Sequence, residues 1–178
     1  MNKGFTLIEM VVAVAIFTLL VGATSGVFVS SIKNQKHGLA TQEILDQTSY
    51  LMEYISRALR MAVKDDISSG GVVKNCLSGS RVNYEFDAIN QCLNFRNYQN
   101  ECQQFCLEGT RLKDENGDYL TSESLQVSDF SVILSGERQL PFDSLQPRVT
   151  ISLNITGREQ SSVKIQTTIS QRNLDVRR

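Results

Sequence analysis

The sequence predicts an α+β fold, a long N-terminal helix packed on a C-terminal antiparallel β-sheet, and three observations carry that reading. Between Lys3 and Lys33 the only ionisable side chain is Glu9, in an otherwise apolar run. No proline occurs before Pro141, so nothing forces an early helix to stop. Past Gly71 the hydrophobic period shifts from helical spacing to alternation by two.

The helix comes first. Met10 to Val29 supplies about 20 mostly apolar residues, roughly 30 Å at 1.5 Å per residue, which matches a bilayer core. One transmembrane helix is expected. A secretory signal peptide with Lys3 as its basic region is the rival, but the apolar block is longer than such a segment needs, and SSIKNQKHGLATQEILDQ continues as helix after it. From Phe5 the helix is expected to run to about Asp66, roughly 90 Å. Its second half is amphipathic, with Ile44, Leu51, Ile55, Leu59 and Ala62 on one stripe that Leu45, Met52 and Val63 widen. Gly22 and Gly26 flank Thr24 and Ser25 and weaken helix propensity by about 1 kcal/mol each, so a bend or local melting is expected there. The stop is DDISSGG, where Ser68, Ser69, Gly70 and Gly71 cluster.

The strands follow. Val149, Ile151, Leu153 and Ile155 alternate with polar residues, as do Val163, Ile165 and Ile169, and GREQSS joins the two runs as a hairpin. Phe130, Val132 and Leu134 make a third strand ended by Gly136. RVNYEFD, QCLNFRNY and QFCLEGTRL are shorter candidates between turn-rich stretches. The helix stripe is expected to cover one face of the sheet. DENGD, residues 114 to 118, lacks the glycine placement and distal glutamate of a calcium loop and reads as a turn at Asn116-Gly117.

Chemistry-bearing motifs are sparse. The net charge is −1, so no global field points toward nucleic acid or an anionic membrane. Arg57, Arg60 and Lys64 form a basic helix stripe that offers a surface to nucleic acid or a partner. Because Glu53 precedes Arg57 by one turn, a solvated, partly paired face is the plainer reading. His37 is the only histidine, and no nucleophile elbow, metalloprotease helix or phosphate loop occurs. The chain reads as a substrate of an enzyme, with no catalytic residue, cofactor, metal or small-molecule substrate expected.

Glu9 is the residue that needs explaining. A carboxylate at bilayer depth costs on the order of 2.5 to 3.5 kcal/mol and needs a partner. Near the headgroups it would be tolerated, and it stands only about 6 Å of helix rise past Phe5. Lys3-Gly4-Phe5-Thr6-Leu7-Ile8-Glu9, ahead of an apolar helix, resembles the processing motif of type IV prepilins and type II secretion pseudopilins. The resemblance implies a pilin-like fold, cleavage after Gly4 by a membrane-embedded prepilin peptidase, and N-methylation of Phe5 by the same enzyme. It also implies that Glu9 of one subunit neutralises the Phe5 amine of its neighbour, two charges acceptable in an apolar filament core only as a pair. RALRMA (57–62) and QTTISQR (166–172), after QPRVTISL, resemble stretches of minor pilins and pseudopilins of the larger J/W-like kind. Glycine at 26, where many major pilins have proline, fits a minor subunit.

The implied organisation is a leader at 1–4, a transmembrane and filament-core helix at 5–29, an amphipathic continuation at 30–67 and an extracytoplasmic β-domain at 68–178. The implied partners are prepilin peptidase, other pilin or pseudopilin subunits, an assembly-platform membrane protein and the membrane. Lysines on both sides of the span leave orientation open; the resemblance implies N-in topology, the C-terminal domain in the periplasm or at the cell surface, and then a filament. Alternatives are a tip subunit that binds DNA or another ligand, for adhesion or transformation, and a single-pass protein that never assembles. In an oxidising compartment Cys76, Cys92, Cys102 and Cys106 are expected to form two disulfides, with three pairings open and zinc as the rival. Proximity in sequence suggests Cys76 with Cys92 and Cys102 with Cys106, although the second is awkward within a strand.

Overall fold

Helix α1 spans Leu7–Arg60 in a computed structural model that describes residues 4–64, 76–78, 81–139 and 144–173. The chain divides into two units, Met1–Leu39 and Ala40–Arg178. In the first unit every described residue is exposed. An 18-residue window of α1 has a mean hydropathy of 2.3 and none of it is buried, which sets it apart from the core helix of a globular domain. The local melting expected at Gly22 and Gly26 is not seen: α1 continues through both. Thr24 Oγ1 donates to the carbonyls of Leu20 at 3.0 Å and Val21 at 3.1 Å, and Ser25 Oγ donates to Val21 at 2.7 Å. These hydroxyls are satisfied within the helix and present no orphan donor to an apolar medium.

In the second unit the helix buries Ala40, Ile44, Thr48, Leu51, Met52, Ile55 and Leu59. Four of the five residues expected on the stripe lie in that face, and the fifth, Ala62, is buried just beyond the helix end. Leu45 does not widen the stripe. One residue past Ile44 the helix has turned by about 100°, and Leu45 stays exposed.

α1 ends at Arg60, short of the expected Asp66, because tertiary donors take its last carbonyls. The Tyr84 hydroxyl donates to the Leu59 carbonyl at 2.8 Å, and the Arg172 backbone N–H donates to the Arg60 carbonyl at 2.9 Å. Gln171 Nε2 donates to the Ala62 carbonyl at 2.9 Å, and Val63 forms an isolated antiparallel bridge with Arg96. Carbonyls at a helix end lack intrahelical partners, and these contacts supply them. The predicted breaker cluster at 68–71 lies outside the described residues.

The β-region forms two antiparallel sheets where one was expected. β1 (Tyr84–Asp87), β2 (Cys92–Arg96), β3 (Cys102–Glu108) and β4 (Arg111–Lys113) form a four-stranded sheet in sequence order. β5 (Gln126–Ser135), β6 (Arg148–Thr156) and β7 (Ser162–Ser170) form a three-stranded one. QFCLEGTRL is a hairpin, β3 and β4 turning at Gly109, whose φ of 62° is the left-handed region that suits glycine. The sheets are stitched just before β1, where the Asn83 N–H donates to the Glu137 carbonyl at 2.7 Å and the Gln139 N–H donates to the Arg81 carbonyl at 2.8 Å.

One core joins all three layers. Leu51, Ile55 and Leu59 of α1 share it with Leu93, Phe95 and Phe105 of the first sheet and with Val149, Ile151, Leu153 and Ile155 of the second. The alternation in β6 is the burial pattern itself: its odd-numbered apolar residues are buried and the intervening Thr150, Ser152 and Asn154 are half-buried. β5 breaks period two. The register shifts between Val127, opposite Ile155, and Asp129, opposite Asn154, leaving Ser128 as an extra residue. A bulge there lets Val127 and Phe130, three apart, both face the core.

All four cysteines are in disulfides, but the pairing differs from the one sequence proximity suggests. Cys76 joins Cys102 and Cys92 joins Cys106, with Cα atoms 5.3 Å and 4.1 Å apart. Cys102 and Cys106 both lie in β3, so about 13 Å of strand separates them, beyond the reach of a disulfide. β2 instead sets Cys92 directly opposite Cys106, while Arg96, at its other end, is opposite Cys102. Cys76 sits at that far end, its sulfur 3.3 Å from the Phe95 carbonyl. With every thiol bonded, no cysteine ligand is left for the zinc reading. Residues 114–118 form a tight turn: the Asp114 carboxylate accepts from the N–H groups of Asn116 at 3.0 Å and Asp118 at 2.8 Å, and Gly117 has a φ of 86°.

Candidate processing and assembly site

Gly4, Phe5 and Thr6 precede the first turn of α1 in non-helical backbone. Among the described residues, chain neighbours aside, nothing lies within 4 Å of the position a Gly4 Cβ would occupy, and Phe5 is 73% exposed. The peptide joining Gly4 to Phe5 therefore lies in exposed backbone outside the helical ladder. An endopeptidase needs that kind of accessible backbone.

Glu9 lies in the first turn, exposed, at the N3 position if Thr6 is taken as the cap. Its Oε2 accepts from the Thr6 backbone N–H at 3.4 Å and from Thr6 Oγ1 at 3.3 Å. The Thr6 carbonyl in turn accepts the N–H groups of Glu9 at 3.2 Å and Met10 at 3.3 Å. This is the glutamate half of a capping box, and a negative charge there complements the positive end of the helix dipole. Sequence reasoning singled out Glu9 and passed over Thr6, although Thr-x-x-Glu ahead of an apolar run is itself the signal for such a cap. Among the described residues no cation reaches Glu9, and the donors its carboxylate meets there are those of Thr6.

The four cysteines lie in the second unit. Of the basic stripe, Arg57 is engaged by Glu53 at 2.6 Å, as the solvated-face reading expects.

A family profile described as the prokaryotic N-terminal methylation motif matches residues 1–25. No curated protein and no solved structure matches the chain. With that motif at the head of an exposed apolar helix leading into antiparallel sheets, the chain has the N-terminal signature and the α+β layout of the type IV pilins and pseudopilins, which supports a structural subunit of that family.

Proposed function

We propose that the chain is a minor pilin or pseudopilin, inserted in the membrane as a precursor, cut by prepilin peptidase between Gly4 and Phe5, methylated on the new Phe5 amine and assembled into a filament or at its tip. The observation that carries this reading is KGFTLIE immediately ahead of an apolar helix whose large side chains are exposed. In this reading residues 1–4 are the leader and 5–29 the span and later the filament core. Residues 30–67 continue the helix, and 68–178 form the domain carried outside the cytoplasm.

Cleavage creates a cation one residue before Thr6, and methylation keeps it charged while adding apolar surface. Glu9 of the adjoining subunit neutralises it. A shifted neighbour leaves both charges unpaired in an apolar core, so the pair sets register as well as attraction. The Thr6 contacts hold the Glu9 carboxylate at the helix head until that partner arrives. The leading apolar faces, with Leu7, Ile8, Val11 and Val12, then pack helix on helix.

The test is Gly4→Trp, read by intact mass in cells with an active prepilin peptidase. The wild-type chain should lose its first four residues and gain a methyl group, and the variant should keep the precursor mass. Normal processing of the variant would sink the proposal.

A further inference from the structure

A groove of about 890 Å³ opens between the C-terminal part of α1 and the outer edge of β7, lined by Met52, Ser56, Arg57, Arg60, Thr168 and Arg172 among others. β7 is an edge strand, and among the described residues its outer side has no strand partner. The groove holds three guanidinium groups. Arg57 is neutralised by Glu53, and among the described residues no carboxylate pairs with Arg60 or Arg172. The Arg172 N–H bond to the Arg60 carbonyl fixes the two residues side by side at the backbone. Two unneutralised guanidiniums over a floor that includes the buried Met52 suit carboxylates presented on a compact backbone.

The same chain presents such carboxylates on the other flank of α1. With Ile55 facing the core, Tyr54 and Ser56 project about 100° to either side of it. Ser56 lines the groove, whereas the Tyr54 ring packs edge-on against Phe105 of the four-stranded sheet at 6.0 Å between centroids. On that flank stands the 114–118 turn: Tyr119, just after it, lines a common cleft with Tyr50, one helical turn before Tyr54. Burial, followed by the nearby carboxylates of Glu115 and Asp114, raises the pKa of the Tyr54 phenol. Asp114 is spent on the turn's own N–H groups, while Glu115 and Asp118 are exposed, and among the described residues no cation pairs with either.

We propose that the arginine groove of one copy receives the Glu115–Asp118 turn of a second copy. This inference rests on the filament-subunit reading and names a lateral contact for it. Acceptor and donor lie on opposite flanks of one helix, so the contact is head-to-tail and leaves each copy with a free half, which propagates a series where a two-fold contact would close a dimer. With a net charge of −1 the chain has no global field to draw a polyanion, whereas a turn with two exposed carboxylates matches a groove with two free guanidiniums, which favours this occupant over nucleic acid.

The test uses full-length protein in neutral detergent at low salt, with association followed by sedimentation. Arg57→Glu/Arg60→Glu sets an acidic groove against an acidic turn, and Glu115→Arg/Asp118→Arg sets a basic turn against a basic groove. Each variant alone should associate at least about tenfold more weakly than wild type. Mixing the two should restore association, since each groove then meets a turn of opposite sign. Recovery in the mixture also demonstrates that both variants are folded. Wild-type protein that does not associate, single variants that associate normally, or a mixture that fails to recover while circular dichroism stays native would each overturn the contact. Loss of binding to a duplex oligonucleotide in the groove variant, with self-association unchanged, would reassign the groove to nucleic acid. Processing at Gly4 is scored separately by mass, so failure of this contact leaves the filament-subunit reading standing, and failure of processing removes that reading whatever the mixture does.

Discussion

The Tyr84 hydroxyl reaches across from β1 to donate to the Leu59 carbonyl at 2.8 Å, tying the first sheet to the last turn of α1. The phenol is almost wholly buried, and burial raises its pKa far above the ordinary tyrosine value. The neutral form is thus the one the fold requires. Its contribution is fully present below the unfolded tyrosine pKa of about 10 and is lost as pH rises above it. Tyr84→Phe should cost about 1 kcal/mol at neutral pH, the net worth of one hydrogen bond. Thermal melts above about pH 10 should show wild type losing stability more steeply than the variant; equal slopes would contradict the assignment.

Glu9 should be dispensable for cleavage and required for assembly. Glu9→Ala is expected to be processed at Gly4 like wild type, yet to lower recovery of sheared filaments about tenfold or more, because the Phe5 amine of the neighbour stays buried without a counter-charge. Recovery at wild-type levels would favour a membrane protein that never assembles.

Thr6 separates the local contact of Glu9 from the intermolecular pairing proposed for it. Thr6→Val removes the hydroxyl contact and keeps the backbone N–H donor, so only the helix start is weakened, by roughly 0.5 to 1 kcal/mol. Filament yield should then fall much less than in Glu9→Ala. A loss equal to that of Glu9→Ala would mean that the Thr6 contact, and not the charge pair, is what assembly needs.

Peptide mapping of the oxidised protein should return fragments linking Cys76 to Cys102 and Cys92 to Cys106. The first bridge closes the longer segment, with a separation of 26 residues against 14 for the second. In the chain-entropy picture removing either costs about 3 kcal/mol, the longer roughly half a kcal/mol more. Melting of the paired Cys→Ser variants checks the order, and a fragment linking Cys102 to Cys106 would contradict the strand register.

Gly136 should tolerate no side chain. Its φ of 67° is left-handed, and an added Cβ would lie 2.9 Å from both the Leu145 Cβ and the Leu145 carbonyl oxygen. Gly136→Ala should therefore lose about 1 to 3 kcal/mol in a denaturant titration, combining backbone strain with overpacking. A change within about 0.5 kcal/mol would show that the turn relaxes freely.

Elements whose signal is local could be read from residue order. Burial away from water selects apolar residues at a helical or strand period, which is why the stripe from Ile44 to Leu59 and the alternation from Val149 to Ile155 are legible in residue spacing alone. The N-terminal motif is legible for a related reason: its chemistry is carried by consecutive residues, Gly4 to Glu9, and needs no fold to bring them together. Tertiary structure alone decided what depends on partners distant in sequence. The helix stops at Arg60 because Tyr84, Gln171 and Arg172 supply donors that no local propensity encodes. Cys92 finds Cys106 because the β2–β3 register sets them opposite each other, whereas nearness in sequence put Cys102 beside Cys106 on one strand, about 13 Å apart. The split into two sheets has the same origin. Alternation tells which side of a strand is buried, but the backbone hydrogen bonds that choose its neighbour are the same for every residue, so pairing is settled only when the whole core closes.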